Sequence, residues 1–199
     1  MRNVFAFGLV LILGLAPMHS FALEDGSGPK PPPKPVETDP VKRLDNLFAD
    51  LKRERNEKTA ERIAGRIWNE WNHSRSASTD LMMQWSQKAI ENKKYDIALD
   101  FLDQVVVLSP KYAEGWNRRA TVHFMMNNYR KSMADIDKTL QLEPRHFGAL
   151  SGMAQIMKNT DHKELALSAY QRVLDIYPMM RSAQNEVAEL SEELAGEGI

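Results

Sequence analysis

Three prolines divide the second half of the chain at a fixed interval of 34 residues: Pro110, Pro144 and Pro178. Each proline closes a segment whose apolar residues have helical spacing, and no long stretch from Asp39 onward alternates as a strand would. The residue before a proline is disfavoured in the helical backbone region, so helices are predicted to end at three equivalent places. A period of this length indicates a helical repeat protein, because one such unit cannot bury its apolar face without a neighbour.

The blocks 79–112, 113–146 and 147–180 carry similar residues at equivalent positions. Small residues occupy the eighth and twentieth positions, where two helices of one unit would cross closely: Ser86, Ala120, Ala154, Ala98, Ser132 and Ala166. Larger residues occupy the positions that a core stripe needs: Met82, Trp116, Leu150, Leu102, Ile136 and Tyr170. Trp68 and Trp85 also fall on core positions of this register, so structural packing is their expected role. The core is therefore predicted to be shared between neighbouring units.

The segment before the blocks, residues 40–78, is predicted to be an antiparallel helical pair. Asp39 can cap a helix whose first residue is Pro40, and two apolar stripes follow: Val41, Leu44, Phe48 and Leu51, then Ala60, Ile63, Ala64, Ile67, Trp68 and Trp71. Carrying the register back places several of these residues at core positions, but Ser76 stands where the proline is expected. We interpret the pair as a degenerate first repeat.

The segment after the blocks, residues 181–199, carries an apolar stripe with glutamates on its remaining surface. The stripe consists of Ala183, Val187, Leu190 and Leu194. This pattern predicts a helix that covers the last repeat and solvates the end of the array.

The spacing of the blocks resembles that of the tetratricopeptide repeat (TPR) family, whose repeats have an aromatic residue at position 4, small residues at positions 8 and 20, and proline at position 32. Block 113–146 carries the resemblance most clearly, through Trp116, Ala120, Ser132, Ile136 and Pro144. The resemblance implies an all-α fold: an α-α superhelix (TPR solenoid) of three repeats, 79–112, 113–146 and 147–180, with the degenerate helical pair before them and the capping helix after them.

The same resemblance implies a binding groove lined by the first helix of each repeat. Groove positions are expected at Met83, Gln87, Asn117, Thr121, Phe124, Met125, Ser151 and Gln155. Met83, Phe124 and Met125 are the expected contact anchors on a surface of apolar and amide groups. Some family members hold a terminal carboxylate with Lys and Asn. The matching places here keep one cation, Arg118, so no such clamp is expected.

The first 22 residues have the pattern of a signal peptide. Arg2 precedes an apolar run from Val4 to Ala16, which is shorter than the roughly 20 residues needed to cross a bilayer. Ser20 and Ala22 are small residues that suit cleavage after Ala22, so a periplasmic or secreted protein is expected. Residues 23–39 are rich in proline and are predicted to form an extended tether, although PxxP spacing within them leaves a role as a peptide ligand open.

Composition argues against several classes of function. The formal net charge is −1, so neither nucleic acid nor an anionic membrane surface is favoured as a partner. The sequence lacks the Gly-x-Ser-x-Gly, Walker and His-Glu-x-x-His motifs, and its histidines have no ligand-like spacing. The methionine pairs raise the question of copper(I), but Met82, Met153 and Met157 fall on core positions. No catalytic residue, cofactor or metal site is expected.

These observations predict a non-enzymatic adaptor or assembly factor of the bacterial cell envelope, which binds a peptide or protein segment in its groove. Two alternatives remain open from the sequence. The groove could bind a small molecule or cell-wall fragment, or the chain could be an accessory subunit of an envelope enzyme complex.

The register itself is testable at the predicted helix crossings. Replacing Ala120 or Ala166 with Leu is expected to overpack a crossing and to lower the free energy of unfolding by roughly 1 to 3 kcal/mol. Thermal unfolding measures the effect, and an unchanged melting temperature would contradict the register.

Overall fold

Nine α-helices make up nearly all of residues 39–196, which are the residues that the computed structural model describes. They are α1 (Pro40–Arg53), α2 (Glu57–Trp71), α3 (Ala77–Glu91), α4 (Tyr95–Leu108), α5 (Ala113–Met125), α6 (Tyr129–Leu142), α7 (Phe147–Asn159), α8 (Lys163–Ile176) and α9 (Arg181–Gly196). No strand occurs among these residues, so the predicted all-α class is confirmed. None of the described helices is long and apolar enough to cross a bilayer. The predicted signal peptide, and residues 23–38 of the predicted tether, lie outside the described residues.

The helices begin and end where local chemistry satisfies their terminal backbone groups. The side chains of Asp39 and Asn56 accept backbone N–H groups in the first turns of α1 and α2. Inside each repeat, the turn between the two helices passes through one residue in the left-handed region: Lys93 with φ 57°, Asn127 with φ 58° and Asp161 with φ 61°. Asn and Asp adopt this conformation more readily than most residues with a Cβ atom.

The three repeats are the pairs α3–α4, α5–α6 and α7–α8, which pack in sequence order. The small residues predicted at the helix crossings are all buried, including Ala120 and Ala166. At one crossing the backbones approach closely enough for the Ser132 hydroxyl to donate to the carbonyl oxygen of Ala120 over 2.8 Å. Helix α9 packs on α8 and buries Ala183 and Leu190. The end of the array formed by the third repeat is therefore covered.

The N-terminal hairpin α1–α2 does not continue the stack of repeats. Its buried side chains, Leu47, Phe48, Leu51, Ile67 and Trp71 among them, share one core with residues of α7, α8 and α9. The core of α3 and α4 is a separate cluster that includes no residue of α1 or α2 among its described members. The prediction of a degenerate repeat stacked before residue 79 is therefore corrected. Residues 40–71 do form a helical pair, but it docks against the third repeat.

One large side chain, Trp71, lies at the centre of this docking. The register places Trp71 where the three repeats have Val105, Thr139 and Val173, each of which is fully buried at a helix crossing. An indole is too large for that crossing. Trp71 instead lies against the start of α7, where its ring stacks on the imidazole of His146 with 4.0 Å between centroids and 9° between planes.

Polar contacts hold the hairpin in the same place. The Arg145 guanidinium lies 4.2 Å from the centre of the Phe48 ring and pairs with Asp45 over 2.7 Å. Arg181 at the start of α9 pairs with Glu57 at the start of α2 over 2.9 Å. The hairpin is thus held by Arg145 just before α7 and by Arg181 in the capping helix.

Trp71 should therefore matter far more for stability than Trp85. Trp71 is 7% exposed, whereas Trp85, which the register placed in the core, is 46% exposed. We expect Trp71→Ala to lower the free energy of unfolding by about 3 to 5 kcal/mol, as for other buried aromatic truncations. Trp85→Ala is the matched control and should cost about 1 kcal/mol or less. Urea unfolding followed by circular dichroism measures both, and equal losses would contradict the docking of the hairpin.

Candidate functional site

The first helices of the repeats, α3, α5 and α7, form the inner face of the array: α5 and α7 contact each other directly, and α3 and α5 line one cavity. In a helical repeat protein the inner face collects equivalent positions from successive units. This face contains two cavities that involve predicted groove residues. They are separate and differ in size and in chemistry.

The larger cavity, which we call the groove cavity, has a volume of about 700 Å³ and lies between α3, α5 and the connection from α2 to α3. It is lined by Asn72, His73, Asp80, Met83, Gln84, Gln87, Lys88, Glu91 and Arg118. Amide groups, two acidic residues and two basic residues therefore surround one apolar side chain. The cavity is wide enough to accept several side chains of a ligand.

Two of the predicted groove residues belong to the groove cavity. The Gln87 side chain is exposed, and its amide donates to the Glu91 carboxylate over 3.0 Å. Met83 is only 3% exposed, so it forms part of the cavity floor. The expectation that Met83 projects as a contact anchor is corrected, because its side chain is packed into the core of the first repeat.

A smaller cavity of about 100 Å³ between α5 and α7 contains three more of the predicted residues, Asn117, Thr121 and Phe124. Asn117 is buried, and its amide donates to Glu114 over 2.8 Å. Thr121 is exposed and donates its hydroxyl to the Asn117 carbonyl oxygen over 3.0 Å. Phe124 is half-buried, with its ring 5.7 Å from that of Tyr129. Of these three residues only Thr121 is exposed.

The remaining predicted residues line neither cavity. Met125 is 44% exposed at the end of α5. Ser151 donates its hydroxyl to the carbonyl oxygen of Phe147 over 2.8 Å, and Gln155 accepts a hydrogen bond from the Tyr170 hydroxyl over 3.2 Å. The structure thus brings the eight residues together in part: two in the groove cavity, three in the smaller cavity, and three elsewhere on α5 and α7.

Sequence reasoning missed the residues that the connection from α2 to α3 contributes. Asn72 and His73 line the groove cavity because the docked hairpin brings this connection past α5. A repeat register assigns no groove position to residues that precede the first repeat. The sequence feature that could have indicated this placement is Trp71, a large residue at a register position where the three repeats have Val or Thr.

Arg118, the cation left at the matching positions of a carboxylate clamp, is already paired. Its guanidinium donates to the Glu114 carboxylate over 2.9 Å and to the Asn72 side-chain oxygen over 2.8 Å. The side chain is 17% exposed. An arginine that is neutralised by a buried glutamate offers little attraction to the terminal carboxylate of a ligand.

Glu114 is the centre of this buried polar network. It is 3% exposed and bonds to Arg118, to the Asn117 amide, and to His146 Nε2 over 3.3 Å. Because His146 Nδ1 accepts the backbone N–H of Ala149, the ring proton lies on Nε2, which donates to Glu114. Burial by itself raises the pKa of Glu114. The His146 hydrogen bond, the Arg118 guanidinium and the Asn117 amide outweigh burial and hold the pKa below its ordinary value.

The chain is similar in sequence and in fold to known repeat proteins. A TPR repeat-containing protein of Rhizobium etli is 57% identical to this chain over 157 residues, which cover 79% of this chain and 77% of the relative. The first TPR of Spaghetti (RPAP3), bound to the HSP90 peptide SRMEEVD, is similar with a TM-score of 0.58 and 23% identity, over 60% of this chain and 95% of that one. The TPR2B domain of yeast Sti1 in complex with pHsp70 is similar with a TM-score of 0.55 and 14% identity, over 59% and 99%. No protein-family model matches the chain.

The lowered pKa of Glu114 makes stability depend on pH. A carboxyl whose pKa is lower in the folded state contributes stability above its ordinary pKa of 4.5 and loses that contribution as the pH falls through the lowered folded value. We expect the wild-type protein to lose stability more steeply than Glu114→Gln between about pH 6 and about pH 3. Urea unfolding at a series of pH values measures the two slopes.

Glu192→Gln, on the exposed surface of α9, is the control for this experiment and should follow the wild-type slope. Identical slopes for wild type and Glu114→Gln would contradict the assignment of a charged, hydrogen-bonded Glu114.

Proposed function

This chain belongs to the TPR repeat-containing proteins, and on that premise we propose that it is a non-enzymatic interaction module that binds an extended segment of another protein in the groove cavity. The observation that carries the proposal is the cavity itself, about 700 Å³ of open space on the inner face of the first two repeats. The third repeat contributes much less, since the cavity that α7 helps to line has a volume of only about 100 Å³.

The lining of the groove cavity suits a peptide backbone. Asn72, Gln84 and Gln87 carry side-chain amides, which can both donate to and accept from the amide groups of an extended chain. Met83 gives an apolar floor on which a side chain of the ligand can rest. Acidic and basic residues both line the cavity, so a ligand segment with charges of both signs finds complementary groups.

Relatives of known structure support a peptide as the ligand. The RPAP3 repeat is bound to an HSP90 peptide, and the yeast Sti1 domain is in complex with pHsp70. In the present chain Arg118 is occupied by Glu114, so recognition is proposed to rest on the body of the segment, with no requirement for its terminal carboxylate.

We place this activity in the bacterial cell envelope. The proposal rests on the signal-peptide pattern of residues 1–22, with cleavage after Ala22, and on a sequence without cysteine that needs no particular redox environment.

A charge change on the groove cavity tests the proposal. Gln84→Glu combined with Gln87→Glu removes two amide donors and adds two negative charges, while both side chains are exposed and outside the core. A photo-crosslinking amino acid at position 87 first identifies the bound segment in cells. We expect the double variant to bind that segment at least about tenfold more weakly, because lost donors leave the ligand's carbonyl groups unpaired. Titration of the synthetic segment by calorimetry measures the affinity.

Gln171, an exposed glutamine on α8 outside the groove cavity, supplies the matched controls. The crosslinker at position 171 should not capture the segment, and Gln171→Glu should bind it with unchanged affinity. Circular dichroism should show equal helicity for all variants. Equal capture from positions 87 and 171, or full affinity in the double variant, would show that the segment binds elsewhere.

A further inference from the structure

A second surface of the first repeat exposes large apolar side chains. Trp85 on α3 and Ile97 and Phe101 on α4 line one surface, and Leu81 lies one helical turn before Trp85. We call these four residues the end face. Leu81, Trp85 and Ile97 are 43%, 46% and 45% exposed, and the Phe101 ring lies 5.4 Å from that of Trp85. Single exposed apolar residues are ordinary, but a contiguous group of four with two aromatic rings indicates a contact surface.

The repeat register shows what normally covers such a surface. Position 7 of the repeat is the exposed Trp85 in the first unit. The equivalent residue of the second unit, Arg119, forms an ion pair with Asp103 of the preceding α4, and that of the third unit, Met153, is buried. Position 23 shows the same difference in burial: Phe101 of the first unit is half-buried, whereas the equivalent residues Asp135 and Ala169 are buried. In the second and third units, the helices of the array cover these positions. The first unit lacks that cover from α1–α2, because the hairpin is docked on the third repeat.

Charged residues beside the end face are arranged in two groups. Lys88 lies in the last turn of α3, and Asp96 and Asp100 lie in the first two turns of α4. None of these three side chains makes an ion pair with a described residue, although all lie near the same turn. At this end α3 therefore carries one basic side chain, and α4 carries two acidic side chains after Lys94, which also borders the end face.

We propose that a second copy of this chain covers the end face, in a two-fold dimer in which α3 of each copy lies on α4 of the other. A two-fold interface places the same patch on both sides, so the patch must be complementary to itself. A two-fold axis parallel to the helices meets this condition. It lays the apolar side chains of the two end faces together, and it brings Lys88 of one copy opposite Asp96 and Asp100 of the second copy.

The dimer leaves the groove cavity accessible. Gln84, Gln87 and Glu91 line the groove cavity and not the end face, whereas Lys88 lies between the two surfaces and borders both. One dimer would therefore present two groove cavities. Two linked sites bind a repetitive or oligomeric partner more tightly than one site does.

The mass of the purified protein in solution tests the proposal. Sedimentation equilibrium over a wide range of concentrations should give twice the mass of one chain at high concentration. Trp85→Ser should shift the dissociation constant upward by at least about tenfold, as for other central aromatic residues of interfaces. Circular dichroism should show unchanged helicity, since Trp85 is half exposed. A wild-type protein that stays at one chain mass throughout would overturn the proposal.

Leu165→Ser is the matched control. Leu165 has the register position of Ile97 but lies in the third repeat, and it is 54% exposed. This variant should dimerise like the wild type. If Leu165→Ser and Trp85→Ser weaken the dimer equally, the end face is not the interface.

Charge reversal tests the arrangement of the two copies. Lys88→Glu alone and Asp100→Lys alone should each weaken the dimer, because each places like charges opposite one another. The combined variant should recover part of the lost affinity, since the pair of positions 88 and 100 is restored with its signs exchanged while Asp96 is unchanged. Additive weakening in the combined variant would rule out the placement of α3 on α4.

Discussion

The ring of His146 contacts three helices in the centre of the molecule. Its Nδ1 accepts the backbone N–H of Ala149 and so caps α7, its Nε2 donates to Glu114 on α5, and its face stacks on Trp71 at the end of α2. A buried ring with both nitrogens bonded and one face covered has a single favourable orientation. The position of the N-terminal hairpin relative to the repeats depends on this ring.

The groove cavity is in turn a consequence of that hairpin. With Trp71 held against His146, the chain must cross the start of α5 to reach α3, and Asn72 and His73 become part of the cavity wall. Asn72 also bonds to Arg118, which Glu114 already neutralises. The same polar network therefore holds the hairpin, pairs the Arg118 guanidinium, and shapes the space available to a ligand.

The sequence period was sufficient to predict the three repeats but not the docking of the hairpin α1–α2. Both outcomes have physical reasons. Prolines at one interval and small residues at crossings such as Ala120 and Ser132 depend on backbone geometry alone, which the sequence reports directly. The docking of α1–α2 depends on the shape of an aromatic site formed by His146 and Phe147, about 75 residues further along the chain. Among the groove residues, register identified the correct face of α3 but not how far each side chain is buried, as Met83 shows.

The connection between Trp71 and Ala77 joins the third repeat, through its docked hairpin, to the first. A helical repeat array normally adapts its curvature by small rotations between successive units. Here a change in the distance between the first and third repeats must stretch this connection or separate the Trp71 and His146 rings. These contacts oppose a change in the width of the inner face. A surface held in this way favours a guest that already fits it and limits the conformational entropy lost on binding.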